Sequence, residues 1–134
     1  MKLLATIMLL ASASASAQNL PLPETAHSNI EYKSVSDALT SLRNKPGTEI
    51  EMQGNWTIVV EPALKVIWSF APERHAAYPA VVKRTIVEKD GKVNMKMDVI
   101  CQATKSACDA LVREFFQLNE RMRSSLQSTH DQTR

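Results

Sequence analysis

The side chains best suited to chemistry are gathered in one stretch. Pro72-Glu73-Arg74-His75-Ala76-Ala77-Tyr78-Pro79 sets an imidazole beside a carboxylate, a guanidinium and a phenol. Arg74, His75 and Tyr78 have the makings of a binding surface, because arginine and tyrosine pair a hydrogen-bonding head with a large contact area. Loops carried on a rigid sheet often hold function. His75 could instead serve as the general base of a hydrolase, but that needs a nucleophile and an orienting partner within hydrogen-bond reach. The sequence identifies neither, so no catalytic residue is assigned. A strand connection stiffened by prolines accounts for the same composition without any function. The chain has no G-x-S-x-G elbow, no H-E-x-x-H and no paired carboxylates in a catalytic setting. With only three glycines, it has little from which to build a phosphate-cradling loop.

Sulfur offers two further chemistries. Cys101 and Cys108 are the only cysteines, and their C-x6-C spacing fits neither a C-x-x-C redox motif nor a four-ligand metal set. In an exported chain such a pair reads as a disulfide. Closing a loop of about eight residues corresponds to ~2.5 kcal/mol in the chain-entropy model. Met95 and Met97 share one strand face, and paired thioethers favour Cu(I), with His75 and Trp68 as conceivable companions. Val93 and Val99 bracket them on that face, however, which makes it core, where methionine fills gaps. No metal or cofactor is expected. Lys83-Arg84 and the Lys89/Lys92 pair are interrupted by Glu88 and Asp90 and read as a solvated hairpin. Arg121 and Arg123 suit the end of a helix, where cations are favoured.

These groups must be positioned by a small domain behind a leader. Lys2, the apolar run Leu3–Ala11 and the small residues ending in Ala15-Ser16-Ala17 have the three parts of a signal peptide. Residues 1–17 are expected to be removed between Ala17 and Gln18. Lys2 is the only charge in the leader, so the mature chain carries one unit less than the formal +2. That near-neutral balance does not indicate nucleic acid or an anionic membrane as partner, and no second apolar stretch is long enough for an anchor. Residues 18–29 read as an extended arm, 30–126 as one domain and 127–134 as a polar tail.

Within the domain, Ser34 and Asp37 mark a helix start, and Val35, Ala38, Leu39 and Leu42 form its apolar stripe before Pro46-Gly47 stops it. Five strands follow. Thr48–Gln53 points Ile50 and Met52 inward; Trp56–Glu61 aligns Trp56, Ile58 and Val60; Lys65–Phe70 aligns Val66, Trp68 and Phe70. Val81–Glu88 and Val93–Cys101 are joined at Asp90-Gly91, a strong hairpin signal. A two-residue turn there sets Asp98 opposite Lys83, and a bulged turn shifts that register; the sequence leaves both open. Ser106 with Asp109 caps a longer helix to about Ser125, with Leu111, Phe115, Leu118 and Met122 as its buried stripe. The fold class is α+β, a two-layer sandwich of a five-stranded antiparallel sheet covered by an N-terminal and a longer C-terminal helix.

Tyr78-Pro79-Ala80-Val81-Val82-Lys83-Arg84, with the Cys101…Cys108…Phe115…Leu118-Asn119-Glu120-Arg121-Met122 pattern, resembles small exported proteins of Gram-negative bacteria that lack an assigned activity. Some are labelled J-type co-chaperones, which implies a helical domain with a His-Pro-Asp turn. This chain has no such turn, and its middle is rich in strand formers, so no active residue is carried over. The leading expectation is a non-enzymatic periplasmic or secreted binding or accessory protein acting on another envelope protein, with an inhibitor or immunity role included. The alternatives are a hydrolase using His75 and a small-ligand carrier with a pocket between helix and sheet lined by Trp56, Trp68 and Phe115.

Overall fold

The computed structural model describes residues 29–134. The leader, its cleavage point and the arm as far as residue 28 lie outside the described residues. The chain runs α1 (Val35–Arg43), β1 (Glu49–Gln53), β2 (Trp56–Glu61), a 3-10 turn (Pro62–Leu64), β3 (Val66–Phe70), β4 (Ala80–Lys89), β5 (Lys92–Cys101) and α2 (Lys105–Gln132). The five strands pair antiparallel in chain order. This is the α+β sandwich that the hydrophobic pattern predicts. The sheet and α2 make its two layers, and the short α1 closes the sheet's remaining face.

Local chemistry sets the element ends. Ser34 Oγ accepts the Asp37 amide of the first turn at 3.1 Å, while the Asp37 carboxylate accepts the amide of Lys33, just before the cap, at 3.1 Å, a variant of the capping box. Asp90 and Gly91 both have positive φ, 53° and 73°, as a tight two-residue turn requires. That turn settles the register and sets Lys83 opposite Asp98. The two do not pair by charge, however. Lys83 lies over the Trp68 ring and 3.4 Å from Glu31, and Asp98 accepts the Asn29 amide at 3.2 Å.

Because side chains alternate across a strand, the sheet serves two cores. Val59, Val66, Trp68, Phe70 and Val81 pack on Val35, Ala38 and Leu42 of α1. Ala80 and Val82 face the other way, onto Leu111 and Phe115 of α2, with Trp56, Met97, Val99 and Leu118 alongside.

Several expectations change. Ile50 and Met52 do not point into a core: they are 47% and 62% exposed, because β1 is an edge strand with every residue exposed. Thr104, not Ser106, caps α2 by accepting the Ala107 amide at 3.3 Å, and Asp109 pairs with Lys105 at 2.6 Å instead. The helix also continues past Ser125 to Gln132, through most of the segment read as a tail. Gln127 explains this: its Oε1 accepts the Val93 amide at 2.8 Å and its Nε2 donates to the Gly91 carbonyl at 3.1 Å. A polar side chain thus ties the helix end to the β4–β5 hairpin where no apolar stripe remains.

Candidate functional site

On β4 the residues facing α2 follow the series Val82, Arg84, Ile86, opposite Val99, Met97 and Met95 of β5. A guanidinium therefore stands where the pattern calls for an apolar side chain. Arg84 is only 5% exposed. Its Nη2 donates to Ser69 Oγ at 3.0 Å, its Nη1 approaches the Met122 sulfur at 3.1 Å, and its Cζ lies 5.3 Å from the Phe115 ring centroid. Among the described residues, Nε has no hydrogen-bond partner. None of the ion pairs among the described residues includes Arg84. Burial, the sole influence on it, pushes the guanidinium down from its ordinary pKa.

A cavity of about 230 Å³ opens beside it, between the sheet and α2. Trp56, Ile58, Ser69, Arg84, Phe115 and Leu118 line it, joined by the exposed Gln53, Glu114 and Arg121. Trp56 and Phe115 form two of its walls, their centroids 5.5 Å apart and their planes inclined at 57°. Close by, Asn119 is buried on α2; its amide nitrogen reaches the Met97 sulfur at 3.4 Å and its Oδ1 has no partner among the described residues. Met97 is the cross-strand neighbour of Arg84. Both orphaned side-chain atoms thus belong to the layer between sheet and α2. Such groups are rare in folded proteins and each calls for an explanation.

The residues singled out by sequence are split up. Arg74 and Tyr78 line a shallow hollow with Leu39, Thr57 and Pro72. His75 is not part of it: its ring meets Trp56 edge-on at 5.0 Å, and its Nδ1 accepts the Ala77 amide at 3.1 Å. His75 braces a wall of the α2-side cavity through Trp56. Trp56 and Phe115 line that cavity as expected, but Trp68 belongs to the opposite face. There Trp68 Nε1 donates to Glu61 at 2.7 Å. The Met95, Met97, His75 and Trp68 set is therefore dispersed, with Met97 under Asn119 and Trp68 across the sheet. The Cys101–Cys108 disulfide is present, with its Cα atoms 5.8 Å apart, and ties the end of β5 to the first turn of α2.

A second buried charge shows the contrast with Arg84. Glu61 is 5% exposed and accepts hydrogen bonds from both Lys45 and Trp68. Burial raises its pKa, but the bonds from Lys45 and Trp68 outweigh that, and the net shift is downward. Each oxygen of this carboxylate is met by a donor within the fold.

Lys83 and Arg84 adjoin in the chain but part in the fold, Lys83 partly solvated and Arg84 buried. The signal that separates them is the α2-facing series, in which Arg84 interrupts Val82 and Ile86. Comparison with protein-family models, curated proteins and solved structures finds no match to this chain.

Proposed function

We propose that the chain is an exported, non-enzymatic carrier of a small organic anion, held between the sheet and α2 with its charge on Arg84. The observation that carries this reading is the buried guanidinium with no carboxylate and an unused Nε–H, set beside a cavity. Isolating a charge from water costs several kcal/mol unless it is paired, and a bound anion would supply the missing partner. The leader and the disulfide support an extracytoplasmic address. Thermal unfolding in acetate, benzoate, sulfate and phosphate at matched ionic strength tests the reading. A ligand specific for the folded state at 100 times its Kd stabilises by ~2.7 kcal/mol. At least one anion should raise Tm in the wild type and have no such effect in Arg84→Met, the variant serving to subtract general salt effects. Equal behaviour of the two proteins in every anion would remove the carrier reading.

The envelope partner expected from the sequence stands as a second reading, motivated by Tyr78, which is 43% exposed beside Arg74. Arg74→Ala and Tyr78→Ala should weaken capture of that partner from envelope extracts; capture unchanged by both would remove the hollow from consideration.

A further inference from the structure

We infer that the carried anion is an aromatic monocarboxylate about the size of benzoate, its carboxylate on Arg84 and its ring against Trp56 and Phe115. This rests on the carrier reading and adds the ligand class. Charge comes first. Of the charged residues lining the cavity, the exposed Arg121 and Glu114 carry opposite signs, which leaves the positive charge of Arg84 unbalanced within the lining. A single negative charge balances it, whereas a dianion would bring a second charge toward Glu114.

Donor geometry selects among monoanions. In a guanidinium, Nε–H and one Nη form a planar fork that matches the two oxygens of a carboxylate. Nε is buried without a partner among the described residues, so a carboxylate that meets the fork must displace the atoms covering it; Nη2, with two hydrogens, has a single acceptor, Ser69 Oγ. The Ser69 hydroxyl accepts that bond and still has its own hydrogen to donate.

The walls and the volume define the rest of the molecule. Phe115 lies 5.3 Å from the guanidinium and 5.5 Å from Trp56, so the aromatic surface begins at the charge and continues away from it. Ile58 and Leu118 add apolar surface. Aromatic rings favour tilted and offset contacts at such separations. A cavity of about 230 Å³ is smaller than the ~300 Å³ at which drug-sized pockets begin. It suits a single ring.

Calorimetric titration of the mature chain with benzoate, cyclohexanecarboxylate, benzamide and sulfate tests the inference. Benzoate should bind about fivefold more tightly than cyclohexanecarboxylate, the ratio expected of one aromatic contact. Benzamide, isosteric but neutral, should show no measurable heat. In Trp56→Leu the preference for benzoate over its saturated analogue should shrink toward unity while the carboxylate requirement persists. Equal affinity for the two carboxylates, or tighter binding of sulfate than of benzoate, would overturn the ligand class and leave the carrier reading standing. Binding of none of the anions would overturn the ligand class, and the carrier reading falls with it if acetate and phosphate also leave Tm unchanged. The four-ligand comparison is made on the unaltered chain, so it decides the matter even if the tryptophan variant fails to fold.

Discussion

Arg84 and Glu61 are each 5% exposed, yet only one of them is answered by the fold, and that difference separates a candidate site from a structural network. Replacing Arg84 by methionine keeps a long flexible side chain and removes a charge that burial disfavours. Arg84→Met without ligand should therefore unfold at equal or higher denaturant, with a gain between zero and about 4 kcal/mol, each kcal/mol raising Tm by ~4–8 °C for a domain of this size. Urea unfolding checks it; a loss above ~2 kcal/mol would mean that the contacts to Ser69 and Met122 are structural in their own right. Glu61 makes the opposite prediction. Its folded pKa lies below the ordinary 4.5, so its contribution is present above that value and is lost as pH falls through the folded value. The Lys45 side is complementary: the hydrogen bond it donates to Glu61 raises its pKa above the ordinary 10.5, so its share is complete below that value and is lost only as pH rises past it. Glu61→Gln can still accept from Trp68, but it has no charge for Lys45. Its Tm should fall less steeply than that of the wild type as pH drops below 4.5, and parallel acid limbs would refute the assignment. The sequence could not rank these two residues. Glu61 ends an apolar strand next to a proline, and Arg84 follows a lysine; which of them finds a partner depends on elements distant in the chain.

Elements bounded by local chemistry were legible, and those bounded by tertiary contacts were not. Trp56–Glu61 stands where its alternation put it, and the Asp90-Gly91 dipeptide made the hairpin it signals. The end of α2 was missed because its apolar stripe fades after Met122, while what holds it is polar. Gln127 bonds to the hairpin backbone and to Asp131 at 2.9 Å. The disulfide belongs to this scale too, since it fixes where α2 leaves the sheet. Removing it as Cys101→Ala with Cys108→Ala should cost about 2.5 kcal/mol from loop closure, read as a lower urea midpoint. The loss should equal that caused by reduction of the wild type. A double variant as stable as the oxidised protein would show that the bridge contributes nothing to α2 docking.

At the scale of the molecule, the sequence reveals the α+β class but not how the cover is shared between faces. Trp56, Ile58 and Val60 make a good stripe, and so do Val66, Trp68 and Phe70, yet the register sets the two stripes on opposite sides of the sheet. Alternation within a strand cannot say which face meets which helix; only pairing between strands does. One consequence is that neighbours such as Val81 and Val82 belong to different cores. Neither core can dissolve without disturbing strands that the other needs, so both faces should unfold together. The two tryptophans report on them separately, Trp56 at the α2 face and Trp68 at the α1 face. In Trp68→Phe the remaining emission follows the first face, and in Trp56→Phe the second. Within each variant the fluorescence midpoint in urea should coincide with that of far-UV circular dichroism, even though the variants differ in stability. An anion that binds beside Arg84 should move both probes of a Trp68→Phe chain by the same amount. If Trp56 fluorescence changed at lower urea than the dichroism, α2 would be leaving a sheet that stays folded, and the shared-sheet account of cooperativity would fail.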